Sequence, residues 1–175
     1  MTTDDDHRPG RPDRPDRPDR PDRLSWPVPP PLDPVRRLYA LSAGVRGARV
    51  SEREIAAPFD EVWALLADLD GEFGRLVPDM RRLRVVRIEG DRVEAVARSR
   101  FGMRARFDGV RRPGWIWLQS RFVLVGVAAA ATPDGRRTRV AFTGGVRVPG
   151  RAALVPVGVG RAGRRVLGRL AVRVQ

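Results

Sequence analysis

Side chains that carry out covalent or metal chemistry are scarce in this sequence of 175 residues. Cysteine is absent, and the single histidine is His7, close to the N-terminus. Disulfides, thiol nucleophiles and cysteine-ligated metals are therefore excluded, and neither a catalytic triad nor a histidine-based zinc site is expected. We accordingly predict that the protein uses no metal and no cofactor.

The polar side chains that could take part in chemistry inside a cavity carry hydroxyl or guanidinium groups. The candidates that could reach a cavity are Ser99, Ser120, Thr143 and Arg121. Proton transfer needs an acid–base pair close to the substrate, and the apolar faces of the chain carry no paired carboxylates. A buried arginine could still stabilise an enolate electrostatically. The residues favour binding over catalysis, and an enzymatic role stays open as the alternative.

Two neighbouring segments, 92–101 and 103–110, alternate in the way of β-strands, with one arginine-rich face and one largely apolar face. This alternation is typical of a sheet that is solvated on one side. A mixture of small and large side chains leaves room for a ligand, although such residues often only fill the core. The candidate cavity residues of this face are Ala95, Ala97, Ser99, Phe101, Met103, Ala105 and Phe107.

Residues 115–122 are apolar on both faces, so their orientation stays open. If the face with the tryptophans lines the cavity, Trp117 contacts the ligand, and Gln119 and Arg121 orient it. If that face points outward, the tryptophans lie beside arginines on an aromatic and cationic surface that could contact a partner.

Residues 57–74 (APFDEVWALLADLDGEFG) predict an amphipathic helix. Five residues fall within an arc of about 100° on a helical wheel, the width of a stripe that faces a core. They are Val62, Leu65, Leu66, Leu69 and Phe73. Trp63 lies just off this stripe and is therefore a further candidate for contact with a ligand.

The remaining sequence divides into a tail, a short helix and one domain. Residues 1–33 contain RPD repeats and a proline-rich linker, which predict a disordered segment with polyproline II character. Asp33 and Pro34 predict the start of a short helix over 34–44. Residues 46–175 predict a strand at 48–56, the helix above, an antiparallel meander after Pro78 and a C-terminal helix that includes Val155, with a kink or late start near Pro156.

This order of elements resembles the START-like, or SRPBCC, superfamily of polyketide cyclase/dehydrase and lipid-transport proteins. The resemblance rests on Ile55-Ala56-Ala57-Pro58 before the helix, on Leu76-Val77-Pro78-Asp79-Met80 before the second strand, and on Thr138-Arg139-Val140 after a Pro-Asp-Gly turn. It implies an α+β helix-grip fold, in which a curved antiparallel sheet of six or seven strands wraps around a long C-terminal helix. The superfamily has no shared catalytic motif, so no active-site residue is carried over.

The resemblance also implies a cavity between the sheet and the C-terminal helix. We expect this cavity to bind a small hydrophobic ligand such as a lipid, polyketide or isoprenoid, with transport of that ligand as an extension of the same role. A polyketide cyclase/aromatase is the alternative enzyme, and a basic module that associates with a membrane or a partner is the third interpretation.

Charge and targeting signals constrain the partners. The chain has 34 basic residues, all arginine, against 21 acidic ones, a net charge of +13. Without a nucleic-acid-binding motif, we expect no nucleic acid. Peripheral contact with an anionic membrane could use Arg161, Arg164, Arg165 and Arg169. No secretory signal is evident, so a cytoplasmic location is expected, and the sequence leaves the oligomeric state open.

Overall fold

A computed structural model describes residues 32–77, 80–99, 101–150, 153, 155 and 161–174, with the side chains of Arg161 and Ala162 left out. The tail predicted to be disordered lies outside the described residues up to position 31. Pro78, after which the antiparallel meander is predicted to begin, and Pro156, near the predicted start of the last helix, lie outside them as well.

Seven strands form one antiparallel sheet that is curved and not closed. Its strands lie in the order β1-β7-β6-β5-β4-β3-β2, so that β1 and β2 are the two edges. The predicted α+β helix-grip fold is therefore confirmed, with seven strands. The strands are β1 (Val50–Ile55), β2 (Met80–Glu89), β3 (Arg92–Ser99), β4 (Arg104–Arg112), β5 (Trp115–Gln119), β6 (Val123–Ala131) and β7 (Thr138–Val146).

Four α-helices accompany the sheet within the described part of the chain. They are α1 (Pro34–Ala43), α2 (Phe59–Ala67), α3 (Gly74–Leu76) and α4 (Arg161–Arg173). A π-helical turn over Leu69–Phe73 joins α2 to α3. The carboxylate of Asp68 caps this turn by accepting hydrogen bonds from the backbone N–H groups of Gly71 and Glu72. Such a cap satisfies donors that the start of a helix leaves without partners.

The inner face of the sheet packs against α2, the π-helical turn and α4 in one apolar core. Four of the five residues in the predicted apolar stripe are buried, and Leu65 is partly buried against the same core. From α4, this core includes Val166, Leu167 and Leu170. The stripe therefore serves as scaffold.

A second, smaller apolar cluster covers the outer face of the sheet. Helix α1 buries Val35 and Leu38 against Trp115, Ala128 and Ala141. The helix begins after Asp33, whose carboxylate accepts hydrogen bonds from the N–H groups of two residues in the first turn. Both faces of the central strands are thus covered. This explains why β5, within the segment 115–122, is apolar on both sides.

The C-terminal helix begins later than the sequence pattern indicated. Val155, predicted to be part of it, instead forms an isolated antiparallel bridge with Val146 at the end of β7. The two residues exchange backbone hydrogen bonds of 2.8 Å, so position 155 is extended. Helical spacing alone could not locate the start, because valine at a given position suits either structure.

Candidate ligand-binding pocket

An apolar pocket of about 530 Å³ opens at one end of the sheet. This is the end where β3 turns into β4, β5 turns into β6 and β7 finishes, while Met80 begins β2 beside Ser99. The described lining residues are Val77, Met80, Ala97, Ser99, Phe101, Met103, Arg104, Ala105, Phe107, Phe122, Val123, Leu124, Val125, Phe142, Gly144, Gly145, Val146, Arg147, Val148 and Pro149. The volume lies within the range of small-molecule sites.

Small side chains form part of the pocket wall. Ala97 and Ala105 face each other directly across β3 and β4, and Gly144 and Gly145 add no side chain from β7. Phe107 and Phe142 provide large apolar surfaces beside them, and both are almost fully buried. The arrangement leaves open volume against a rigid apolar wall, which is what an apolar ligand needs.

Two arginines are the charged groups among the described lining residues. Arg104 starts β4 and Arg147 follows β7, and both side chains are exposed. They lie where the pocket meets solvent, whereas the apolar residues continue inward. The pocket thus offers an apolar interior and a positively charged entrance.

Two serines hold the turns at this entrance. The Ser99 hydroxyl oxygen accepts hydrogen bonds from the N–H groups of Phe101 (3.2 Å) and Met103 (3.1 Å). The Ser120 hydroxyl accepts from the N–H groups of Phe122 and Val123, and lies 3.2 Å from the Val123 carbonyl oxygen, to which it can donate. Serines commonly organise turns in this way.

The structure brings six of the candidate site residues to this pocket. Those that line it are Ala97, Ser99, Phe101, Met103, Ala105 and Phe107. Ala95, on the same strand face, is fully buried in the core farther along β3. Their contact with a ligand stays a prediction.

The remaining candidates lie elsewhere. Trp63 packs partly buried against the inner core and stacks on Phe59 with ring centroids 6.1 Å apart. Trp117 is on the outer face, stacked on Trp115, so the tryptophan face of β5 points away from the pocket. Gln119 is on that same face and exposed. The exposed Arg121 guanidinium lies 5.1 Å from the ring centroid of Phe122, beside the entrance.

The predicted location of the cavity needs correction. Where the described residues 163–174 of α4 and beyond pack on the sheet, they enclose a void of about 10 Å³, closed by side chains such as Phe73, Phe142 and Leu170. The larger pocket lies at the end of the sheet, and residues 163–174 do not line it. Bulky side chains from both layers meet in the helix–sheet interface, while Ala97, Ala105, Gly144 and Gly145 contribute little side-chain volume at the open end.

Sequence reasoning missed the contribution of β6 and β7 to the pocket. Val123 and Val125 continue the inner face after the Ser120 turn, and Phe142 occupies the inner face of β7. The Gly144-Gly145 pair within an apolar strand was the available signal, because glycine weakens a strand and often marks a close approach.

A basic groove runs between α3 and α4 on another part of the surface, with a volume of about 720 Å³. Glu72 forms ion pairs there with Arg75 (2.8 Å) and Arg173. Arg165 and Arg169 also line the groove. These paired and exposed charges describe a solvated surface that links the two helices.

The described part of the chain has no cluster of three or more histidine, cysteine, aspartate or glutamate residues suited to a metal ion. Within it, no helix has the length and hydropathy needed to cross a membrane.

Comparison with solved structures supports the fold. No family model matches the chain, and no curated protein matches it. The KanY protein is 14% identical and has a TM-score of 0.56, with 74% of this chain and 97% of that chain covered. TTHA0849 from Thermus thermophilus is 21% identical and has a TM-score of 0.50, with 73% and 96% covered. DR_A0006 from Deinococcus radiodurans is 18% identical and has a TM-score of 0.51, with 72% and 95% covered.

These identities are too low to carry over any activity. Together with the strand order and the helix packed on the inner face, the structural matches show the fold alone. The chain has the START-like helix-grip fold that its sequence resembles.

Proposed function

We propose that the protein binds a small, largely apolar molecule in the pocket at the end of the sheet. The observation that supports this proposal is the lining itself, which is almost entirely apolar around a volume of about 530 Å³. Lipids, polyketides and isoprenoids all have an apolar body of this kind. Retention of such a molecule, followed by its delivery elsewhere, would make the protein a carrier.

The position of the arginines suggests how the ligand is oriented. Arg104 and Arg147 stand at the entrance, while Phe107 and Phe142 are buried inside. A ligand with a carboxylate or another anionic end would place that end near the guanidinium groups, which form strong hydrogen bonds with such oxygens. We therefore propose an amphipathic ligand whose apolar body lies inside the pocket.

The lining favours binding over the cyclase alternative. General acid–base catalysis needs a group whose pKa lies near the working pH. Among the described lining residues, the ionisable side chains are those of two arginines, and guanidinium groups remain protonated in proteins. The Ser99 hydroxyl is engaged in its turn.

The proposal can be tested with anilinonaphthalene sulfonate, a fluorescent probe that has an apolar body and one anionic group. We expect saturable binding to the folded protein. Replacing Ala105 with phenylalanine puts a large side chain into the pocket and should weaken binding about tenfold, or about 1.4 kcal/mol. Because partly unfolded proteins also bind this probe, each variant must first show an unchanged near-UV circular dichroism spectrum.

Ala64→Phe is the matched control, since Ala64 is exposed on α2 and does not line the pocket. It should leave probe binding unchanged. Equal binding by the Ala105 and Ala64 variants would contradict the proposal. Independently of the probe, native mass spectrometry of the purified protein, followed by solvent extraction, would identify any natural ligand that the pocket retains.

A further inference from the structure

Large apolar side chains are exposed around the entrance of the pocket. Phe101 and Met103 have exposed fractions of 70% and 68%, and Phe122 and Val148 have 44% and 39%. We call these four residues the mouth surface. They come from three separate segments at the same end of the sheet, namely the β3–β4 turn, the β5–β6 turn and the segment after β7. Grouped exposed apolar residues of this kind mark interaction sites.

Local hydrogen bonds fix the backbone of the two turns that carry Phe101, Met103 and Phe122. The Ser99 hydroxyl binds the N–H groups of Phe101 and Met103, and the Ser120 hydroxyl binds that of Phe122. Gly102, between Phe101 and Met103, has a φ of 82°, which favours glycine and produces a tight turn. Strand β4 pairs with β5 from Asp108 to Arg112, whereas its first four residues, 104–107, have no pairing position on β5. The tip that carries Phe101 and Met103 therefore projects beyond the neighbouring strand.

Arginines surround the mouth surface. Arg98 and Arg104 lie directly opposite each other in the register of β3 and β4, and Arg82 lies opposite Arg98 on β2. Arg121 and Arg147 lie on the other two segments. None of these five forms an ion pair with a described acidic residue. Like charges that face each other across strands are unfavourable, so a negatively charged partner would relieve their repulsion.

We propose that the mouth surface docks on an anionic lipid bilayer. Side chains that enter the interface of a bilayer reach a depth of about 5–10 Å. Arg98 and Arg104 are each three residues from Phe101, so their Cα atoms lie at most about 10 Å from that of Phe101. When Phe101 is inserted, the guanidinium groups therefore reach the level of the lipid phosphates. The apolar side chains lie on the projecting turns and the arginines lie nearer the body of the sheet. This order matches the apolar interior and the anionic surface of a bilayer.

This inference goes beyond ligand binding, because docking needs no molecule in the pocket. It also differs from membrane contact through α4, which the sequence pattern suggested. In α4 the exposed apolar Val172 lies next to Arg173, which pairs with Glu72 in the basic groove. The mouth surface instead combines several apolar side chains with arginines that pair with no described acidic residue, so the two surfaces lead to opposite predictions.

The absence of cysteine allows a direct test on the full chain. Met103→Cys and Val172→Cys each introduce a single thiol at a site of similar exposure, 68% and 75%. Each variant is labelled with the environment-sensitive fluorophore NBD and mixed with vesicles of phosphatidylcholine, either alone or with an equal part of phosphatidylserine. We expect a blue shift at position 103 with the anionic vesicles only, and no shift at position 172. A shift at position 172 alone, at both positions or at neither would overturn the proposal.

Co-sedimentation with the same vesicles measures the contribution of charge. The double variant Arg98→Gln/Arg104→Gln should weaken binding to anionic vesicles about fivefold for each arginine removed. The matched control, Arg165→Gln/Arg169→Gln on α4, should change it less than about twofold, because a screened surface charge away from the bilayer contributes little. Higher ionic strength should weaken binding by the unaltered chain.

If the α4 variant loses as much binding as the sheet variant, general basicity explains the association and the proposal fails. A protein partner in place of a bilayer would leave both vesicle assays without signal, which also overturns it.

Discussion

Ser99 and Ser120 show how individual hydroxyl groups are used at the entrance of the pocket. Each accepts two backbone N–H groups within its own turn, and each turn presents an exposed aromatic side chain. The sequence identified Ser99 as the polar member of an apolar strand face. It could not show that the following turn would engage the hydroxyl, because this depends on the positive φ of Gly102.

A similar local network controls the ionisation of Asp134 in the turn between β6 and β7. The Thr132 hydroxyl and then the Arg136 N–H group donate to its carboxylate and hold the pKa of Asp134 below its ordinary value of 3.8. Because the pKa is lowered in the folded state, the carboxylate stabilises the fold above that ordinary value. This contribution is lost as the pH falls through the folded-state pKa.

We predict that Thr132→Val raises the pKa of Asp134 toward 3.8, because the largest stabilising interaction of the charged form is removed. The carboxyl carbon shift of Asp134, followed by NMR as a function of pH, measures this change directly. The unaltered protein, titrated under the same conditions, serves as the control. An unchanged midpoint for Asp134 would show that the hydroxyl does not interact with it in solution.

Among the elements, α4 is notable for two glycines within its 13 residues, Gly163 and Gly168. Gly168 lies inside the helix, and a Cβ added there would meet only the end of the Arg53 side chain, at 3.4 Å. The position therefore does not require glycine. Glycine in a helix interior costs about 1 kcal/mol relative to alanine.

We predict that Gly168→Ala stabilises the protein by about 1 kcal/mol, seen as a higher midpoint in urea unfolding. Gly126→Ala is the contrasting variant with the same chemical change. A Cβ at Gly126 would lie 2.7 Å from Cγ2 of Thr143 and 2.9 Å from the Trp117 ring, so this variant should be destabilised. A lower midpoint for the Gly168 variant would mean that α4 needs glycine for a reason other than packing.

The strands show which features of the fold could be predicted from sequence and why. In β3 and β4 one face is arginine-rich, so alternation predicted the inward residues, and the structure places Ala97, Ala105 and Phe107 on the inner face. In β5 alternation could not decide, because Trp115 is buried under α1 while Ile116 is buried in the inner core. A strand that is covered on both sides carries no polarity signal.

At the scale of the whole molecule, the sheet separates two apolar layers, and the pocket opens at one end of the inner layer. Sequence reasoning predicted the sheet, the helices and the inner layer, but located the cavity under the C-terminal helix. The difference depends on how the ends of β6 and β7 meet the β3–β4 hairpin. These contacts are long-range, with Val123 paired to Val146, so the Gly144-Gly145 pair could indicate a close approach but not the volume that the contacts leave.

Helix α1 forms part of the outer apolar layer. The compact unit of the structure begins at Leu32 and includes this helix. Leu38 is fully buried against the outer face of the sheet, whereas Leu41 on the same helix is 47% exposed. If α1 is an integral part of the fold, Leu38→Ala leaves a cavity and should lower the free energy of unfolding by about 2–5 kcal/mol.

Leu41→Ala makes the same chemical change one turn later and should alter stability by no more than about 0.5 kcal/mol, the usual range for surface positions. Urea unfolding followed by tryptophan fluorescence suits both variants, because Trp115 and Trp117 lie in the cluster that α1 covers. The Leu38 variant should unfold in a single transition at lower urea, because the helix and sheet share one cluster of side chains. Equal stability of the two variants would instead indicate that α1 is a detachable appendage and that the tryptophan face of β5 is available to another partner.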